Sequence, residues 1–315
     1  MVMKSSQSLC KQQIARLILD AGATRVGFAK AEPVDDIAAK QFSNWIKAGY
    51  HANMQYLNRY HDQRNNPQLL LDGTRTVISA AFNYYSPDID SPLQWAKYAL
   101  GDDYHDIIRK RLSLVADTIA ATTGAQCRVC VDTAPIRERY WATRAGIGFI
   151  GRNTQLILPG AGSYFFLGEI LTTLDIQPDK PLSATNCGNC RRCIDACPGK
   201  ALNCHGQMDA CRCISYLTIE HRGELPAHTH LENRIYGCDE CQRVCPHNQL
   251  AVPTSLPELT PRVEITCLTA NDILSMRPER FSAIFRNSAI KRTKLTGLQR
   301  NAAIITSQQL PNAVK

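Results

Sequence analysis

The sequence predicts a mixed α+β or α/β domain, then a cysteine-rich metal module, then a short helical tail. Three observations carry this. Strand-like and helix-like segments alternate up to about Asp175. Two cysteine runs follow, Cys187-Gly-Asn-Cys190-Arg-Arg-Cys193-Ile-Asp-Ala-Cys197-Pro198 and Cys238-Asp-Glu-Cys241-Gln-Arg-Val-Cys245-Pro246. Beyond Pro253 the pattern is helical again. The expected boundaries are 1–178, 179–253 and 254–315, with Pro178 and Pro181 marking the first break.

In the first part, Ser6 to Ala21 reads as a helix, with Ile14, Leu17, Ile18 and Ala21 on one face and Gly22 as its stop. Arg25 to Ala29 is a short strand. Asp36 to Ala48 is a second helix, capped by Asp35 and ended by Gly49. Thr76 to Tyr84, rich in β-branched and apolar residues, is a central strand. Tyr104 to Thr123 is the longest helix; Ile108, Leu112, Val115 and Ile119 recur at helical spacing and Gly124 ends it. Gln126 to Val131 is a strand, broken at Asp132-Thr-Ala-Pro135, and Ile136 to Ala145 is helical. Gly146, Gly148 and Gly151 predict a flexible stretch. Leu156 to Leu158 and Tyr164 to Leu174 read as strands joined in a hairpin through Pro159-Gly-Ala-Gly162. In the tail, helices are expected near Asp272 to Met276, Pro278 to Arg286 and Leu295 to Ser307. Its Arg286, Lys291, Arg292, Lys294 and Arg300 read as a solvated helical face.

The first cysteine run is C-x2-C-x2-C-x3-C-P, the pattern that builds a [4Fe–4S] site, and the second is C-x2-C-x3-C-P. Three cysteines at x2 intervals wrap one cluster, and the cysteine before proline faces the neighbouring one. The ligands therefore cross. Cluster one takes Cys187, Cys190, Cys193 and Cys245. Cluster two takes Cys197, Cys238, Cys241 and one more, for which Cys204, Cys211 and Cys213 are all available by spacing. The alternative is zinc, which C-x2-C pairs often hold, but paired runs ending in Cys-Pro fit iron–sulfur better. Cys127 and Cys130 are also spaced x2. They lie in a strand, where they point to opposite faces, so they read as small buried residues.

Fourteen cysteines, with no apolar leader in Met1 to Lys11, point to a reducing, cytoplasmic setting and to metal, not disulfides. No stretch is long and apolar enough to suggest a membrane span. The formal charge of +8 suits a polyanionic partner such as nucleic acid, although many soluble proteins are as basic. A ferredoxin module needs only some tens of residues, so the preceding part must hold whatever the electrons are for. Gly146-x-Gly148-x-x-Gly151 has the glycine pattern of a dinucleotide site, but it follows a helix, not a strand, and no phosphate-binding P-loop is present. The residues alone therefore indicate a reductase with an unidentified acceptor. Glu169, alone in an apolar strand, is either the buried partner of an arginine or turned to water.

Four motifs go further: Val131-Asp132-Thr-Ala-Pro, Arg144-Ala-Gly-Ile-Gly-Phe-Ile-Gly-Arg-Asn-Thr154, Cys213-Ile-Ser-Tyr-Leu-Thr-Ile-Glu220-His and Asn233-Arg-Ile-Tyr-Gly-Cys238-Asp-Glu-Cys-Gln-Arg-Val-Cys-Pro246. Together, and in this order, they resemble the epoxyqueuosine reductase family from about Arg59 to Arg300. The resemblance implies a nitroreductase-like cobalamin-binding domain, a ferredoxin-like module with two [4Fe–4S] clusters, and a short HEAT-like helical segment. It implies reduction of the epoxide of epoxyqueuosine, at the wobble position of tRNA, to the alkene of queuosine. It selects Cys213 as the open ligand and leaves Cys204 and Cys211 as ordinary thiols. It makes Asp132 the proton donor, which requires burial beside the corrin to raise its pKa. By spacing alone Asp132 is a turn or N-cap residue. Arg59, Arg152, Asn153, Ser215 and Thr218 are the expected cobalamin contacts, and His221 a polar wall in preference to a cobalt ligand. This chain has Ala134 where the family usually has glycine and Arg152 where it usually has lysine, which touches positioning and not the reaction. The expected partners are epoxyqueuosine-bearing tRNA and an external electron donor; no membrane is involved, and a monomer is expected. The alternatives are a dehalogenase-like cobalamin enzyme and a non-catalytic electron carrier, which retention of corrin and assay on tRNA separate.

Overall fold

The computed structural model describes residues 9–182, 187–204, 206–227 and 229–309. The first eight residues fall outside these, so of the helix expected from Ser6 only its later part is seen, as α1 (Lys11–Asp20). Lys315 also lies outside the described residues. Then come β1 (Arg25–Lys30), α2 (Asp36–Lys47), the short α3 (His61–Asn65), β2 (Thr76–Asn83) and β3 (Gln94–Trp95). After these follow α4 (Tyr104–Thr123), β4 (Cys127–Cys130), α5 (Glu138–Arg144), β5 (Phe149–Ile150), β6 (Leu156–Ile157) and β7 (Phe165–Thr172). The caps follow the expected chemistry. Asp35 accepts the Ala38 amide at 2.9 Å, and Gly124, at φ 73°, ends α4 in the left-handed conformation that costs glycine nothing.

The main sheet has the order β1-β2-β7-β4, and all three pairings are antiparallel. Its two eight-residue central strands are apolar almost throughout because helices cover both faces. Ile78, Ala80 and Phe82 of β2 and Phe166 and Ile170 of β7 meet α1 and α4, whose Ile108, Leu112 and Ile119 are fully buried. Burial of this kind contributes roughly 1.5–3 kcal/mol per large side chain. The alternate residues Val77, Ala81, Leu167 and Leu171 meet Trp141, Ala142 and Ala145 on and just after α5. Cys127 packs on the first face and Cys130 on the second, so the pair diverges as its strand spacing requires.

Two sequence expectations are corrected. The segment at 156–158 does not form a hairpin with β7. It folds back on β5, pairing Phe149 with Ile157 and Ile150 with Leu156. The glycine stretch expected to be flexible therefore contains a strand. Gly148 is needed there because a Cβ would lie 2.4 Å from the Ile157 carbonyl oxygen.

After β7 the chain is pinned along the edge of β1, where the Asp179 amide donates to the Phe28 carbonyl at 2.8 Å. The module holds α6 (Arg192–Asp195), α7 (Ile214–Ile219), β8 (Arg234–Tyr236) and α8 (Glu240–Arg243). The tail holds α9 (Val263–Thr266), α10 (Ala270–Leu274), α11 (Pro278–Ile284) and α12 (Lys294–Gln309). The three parts share one core. Trp95, Ala99 and Leu100 from the first, Leu217, Ile235 and Tyr236 from the module, and Ile273, Phe285 and Leu298 from the tail pack together. β3 also pairs parallel with β8. Fully buried Asn301 of α12 donates to the carbonyls of Thr218 and Ile235, both at 2.9 Å. The tail's cations are thus not one solvated face. Arg300 holds the Leu217, His221 and Gly223 carbonyls near the end of α7, while Lys291, Lys294 and Arg286 are exposed. Among the described residues no helix is long and apolar enough to cross a membrane.

Candidate active-site cleft and cluster loops

The module's cysteines fall into the two crossed groups. Burial raises the Cys193 thiol, and its neighbours Cys187, Cys245 and Cys190 raise it further. Burial likewise raises Cys241, with Cys238, Cys213 and Cys197 among its neighbours. The Cys213 sulfur thus stands in the group with Cys197, Cys238 and Cys241, apart from Cys187, Cys190, Cys193 and Cys245. Cys204 and Cys211 are exposed, and the Cys211 thiol contacts the Gly49 carbonyl at 3.8 Å. Gly199 brings the Cys197 and Cys213 loops together, since any Cβ there would lie 1.8 Å from the Arg212 carbonyl oxygen. Backbone amides face the sulfurs: Arg152 N–H lies 3.4 Å from Cys187 Sγ and Ala201 N–H 3.3 Å from Cys197 Sγ. Among the described residues no three His, Cys, Asp or Glu side chains converge on one point to hold a single metal ion. A cubane is a larger body, and each thiolate grips a different iron of it.

The cluster-two cysteines Cys197, Cys213, Cys238 and Cys241 also line a cleft of about 440 Å³, together with Asp132, Glu138 and Arg139. Its walls include Tyr84, Tyr98, Tyr104 and Phe166; the Tyr104 ring stacks on Phe166 with centroids 4.0 Å apart and planes within 3°. A second hollow of about 540 Å³ adjoins it along Ala96 and residues 238–240. A large flat cofactor fits this arrangement, with aromatic surface on one wall and a redox centre in another. No histidine lies among the residues lining the cleft. His221 is turned away, its Nε2 on the Glu224 carbonyl at 2.8 Å.

Asp132 sits in a left-handed conformation, φ 47°, just past β4. It is not an N-cap, because α5 begins six residues later. Its amide instead donates to Glu138 Oε1 at 2.5 Å, tying the strained loop to the first turn of α5. Its carboxylate meets His105 Nε2 at 2.9 Å, and His105 Nδ1 meets Asp103 Oδ1 at 2.6 Å. Burial opposes the imidazolium, but the two carboxylates outweigh it and push His105 up to about 9. In return, although burial favours the neutral acid, the His105 hydrogen bond and charge hold Asp132 below the usual carboxylate range. The His105 pairing thus pulls Asp132 in the direction opposite to the rise expected from burial beside the corrin. His105 was not singled out by the sequence because its pairing with Asp132 spans 27 residues.

Of the expected cofactor contacts, Asp132, Asn153 and Ser215 line the cleft. Asn153 Nδ2 reaches the Cys241 carbonyl at 3.4 Å. Arg152 lies at the cluster-one loop, its guanidinium on the Gly188 carbonyl at 2.9 Å. Thr218 is fully buried, accepting the Gly237 amide at 2.9 Å. Arg59 is exposed and outside the lining. The sequence reading did not single out Glu138, Arg139, Tyr104 or Tyr56, all of which line the cleft. At its rim, Glu220 is gripped by both guanidinium nitrogens of Arg292, which also lies over the Tyr56 ring.

Fold and site define an iron–sulfur oxidoreductase with an acid-bearing cleft against its second cluster. Residues 64–133 match the family model described as epoxyqueuosine reductase QueG, DUF1730, and residues 186–248 match the 4Fe-4S double cluster binding domain. The chain is 38% identical over 299 residues to the epoxyqueuosine reductase of Leadbetterella byssophila, covering 93% of this chain and 97% of that protein. It is similar to a solved epoxyqueuosine reductase with a tRNA-Tyr epoxyqueuosine-modified stem loop, at TM-score 0.88 and 31% identity, over 94% of this chain and 80% of that one. It is also similar to a Bacillus subtilis epoxyqueuosine reductase whose aspartate-bearing catalytic loop is swung out of the active site, at TM-score 0.86 and 30% identity, over 94% and 81%. The chain belongs to the epoxyqueuosine reductase family.

Proposed function

We propose that this protein reduces the epoxide of epoxyqueuosine in tRNA to the alkene of queuosine, using two [4Fe–4S] clusters and cobalamin, with Asp132 delivering a proton. The observation that carries the reading is the shared cleft: the cluster-two cysteines and the Asp132–His105 pair line or adjoin the same hollow. Removing an epoxide oxygen as water consumes two electrons and two protons. Bound in the cleft, cobalamin supplies the electron pair, which the clusters renew one electron at a time.

The chain's own residues manage the protons. His105 carries the proton while Asp132 is a carboxylate; Asp103 orients the ring through Nδ1. As the epoxide oxygen gains negative charge, the proton passes from His105 Nε2 to Asp132 and on to that oxygen. The aromatic walls limit water. Cys187, Cys190, Cys193 and Cys245 hold cluster one; Cys197, Cys213, Cys238 and Cys241 hold cluster two beside the cleft. Of the other expected cofactor contacts, the reading keeps Asn153 and Ser215. Arg152 and Thr218 act through the backbone they hold, at Gly188 and Gly237, and Arg59 is not among the cleft contacts. The division at 1–178, 179–253 and 254–315 describes cofactor duties, since the three segments share one core. An electron donor outside the chain and a monomeric protein complete the proposal.

The experiment is anaerobic turnover on tRNA carrying epoxyqueuosine, wild type against Asp132→Asn. The wild type forms queuosine. The variant keeps its cluster and corrin absorption and loses turnover by about 10²–10⁴-fold. Unchanged turnover removes Asp132 from the mechanism, and an inactive wild type overturns the function.

A further inference from the structure

The reduction consumes two protons per epoxide, and the His105–Asp132 pair holds one. We propose that Glu138 is a second proton holder of the cleft, a neutral carboxyl that recharges Asp132 so that each cycle delivers two protons. This deepens the reading above and rests on it.

Glu138 lines the same cleft as Asp132 and accepts the Asp132 amide on Oε1 at 2.5 Å, so its second oxygen is left for a proton. It stands at the start of α5, over the sheet face that carries Glu169. Glu169 is fully buried in the central strand, opposite Ser79, and neither of its oxygens has a hydrogen-bond partner. Neither alternative expected for it holds, since among the described residues no arginine pairs with it and its side chain is not at the surface. Glu169 is fully buried and Glu138 half-buried on one sheet face, where a charge on either carboxyl opposes a charge on the other. The groups facing Glu138 are Asp132, Glu169, Arg139, His105, Tyr104 and Cys130. Burial and the Asp132 charge favour the acid form over the opposing pull of Arg139 and His105. Asp132 and Glu138 thus show the split that acid–base pairs use: one carboxyl ionised, the other neutral, on one cleft floor.

The step balances. Both epoxide C–O pairs leave with the oxygen, which becomes water with two protons, and the two electrons supplied by the reduced cofactor become the π pair of the alkene. The first proton comes from His105 through Asp132. The second passes from Glu138 to Asp132 and on to the hydroxide. Glu138 and His105 are then reprotonated from solvent.

The bland reading is that Glu138 only accepts the Asp132 amide. Glu138→Gln separates the two, because the amide oxygen still accepts that bond but carries no acidic proton. In the cluster- and cobalamin-loaded enzyme assayed on epoxyqueuosine tRNA, Glu138→Gln lowers kcat about 100-fold with KM little changed. It also moves the alkaline limb of the kcat–pH profile upward, from the Glu138 value of about 8 to the His105 value of about 9. A variant with wild-type kcat and an unchanged profile overturns the proposal. Should Glu138→Gln fail to take up its cofactors, Glu138→Asp is compared with Glu138→Ala. At least tenfold higher kcat for the acid, with an alkaline limb, supports the proposal; equal kcat overturns it. A wild type that forms no queuosine fails the functional reading instead, whereas an active wild type with an unimpaired Glu138→Gln fails this inference alone.

Discussion

Glu169→Gln stabilises the protein, and by an amount that grows with pH. Glu169 is fully buried in β7 without a hydrogen-bond partner, and burial first, then its interaction with the Glu138 carboxyl, which disfavours ionising both, pushes it well above the ordinary 4.5. Burial favours the neutral acid in the folded chain, whereas the solvated carboxyl of the unfolded chain is ionised at pH 7. Holding the proton at pH 7 costs about 1.4 kcal/mol for each pH unit above 4.5, or about 3 kcal/mol, and under about 1 kcal/mol at pH 5. The sign follows from the direction. A carboxyl raised by folding leaves stability whole below 4.5 and erodes it as pH rises toward the folded value. Glutamine keeps the shape and the buried polar atoms, so the difference isolates the ionisation. The assay is anaerobic urea unfolding of cluster-loaded protein followed by tryptophan fluorescence at pH 5, 6, 7 and 8. The variant and wild type nearly coincide at pH 5 and separate by about 3 kcal/mol at pH 7. A gap that does not change with pH refutes the claim that Glu169 is held neutral.

Cys213→Ser lowers bound iron from about eight to about four atoms per chain, whereas Cys204→Ser and Cys211→Ser leave about eight; iron analysis with paramagnetic resonance checks this. Loss of a cluster in either exposed-thiol variant would reassign the ligand. Asn301→Leu leaves the Thr218 and Ile235 carbonyls buried without donors, costing about 2–4 kcal/mol. Its urea midpoint falls with an unchanged denaturant slope.

What could be read directly from the chain was local. The helix at Tyr104–Thr123, the strand at Thr76–Asn83 and the Asp35 cap follow from periodicity and turn chemistry within a few residues. Cluster one's first three ligands lie within seven residues of one another because one loop wraps one face of the cubane. The failures lie where pairing is a choice among distant partners. A two-residue strand such as Leu156–Ile157 carries too little pattern to say whether it turns back on β5 or on to β7. The tail's Arg292 and Arg300 read as solvated because the acceptors they grip are 72 and 83 residues away.

The same distinction divides the site. Electron delivery depends on ligands whose spacing metal geometry fixes in advance, so the cysteines announce it. The proposed proton delivery rests on residues 103, 105, 132 and 138, with Glu169 next to Glu138, and no spacing rule links them. What assembles them is the antiparallel sheet. Asp132 lies two residues past β4, which pairs with β7, the strand of Glu169, while α5 lays Glu138 over the same face and the first turn of α4 brings His105 across the loop. A single aspartate before Thr-Ala-Pro is a weak signal. Its left-handed backbone, held by Glu138 on one side and His105 on the other, is a strong one. The fold spends an unpartnered buried carboxyl and a strained non-glycine loop at one spot, and the proton requirement of the reaction accounts for both.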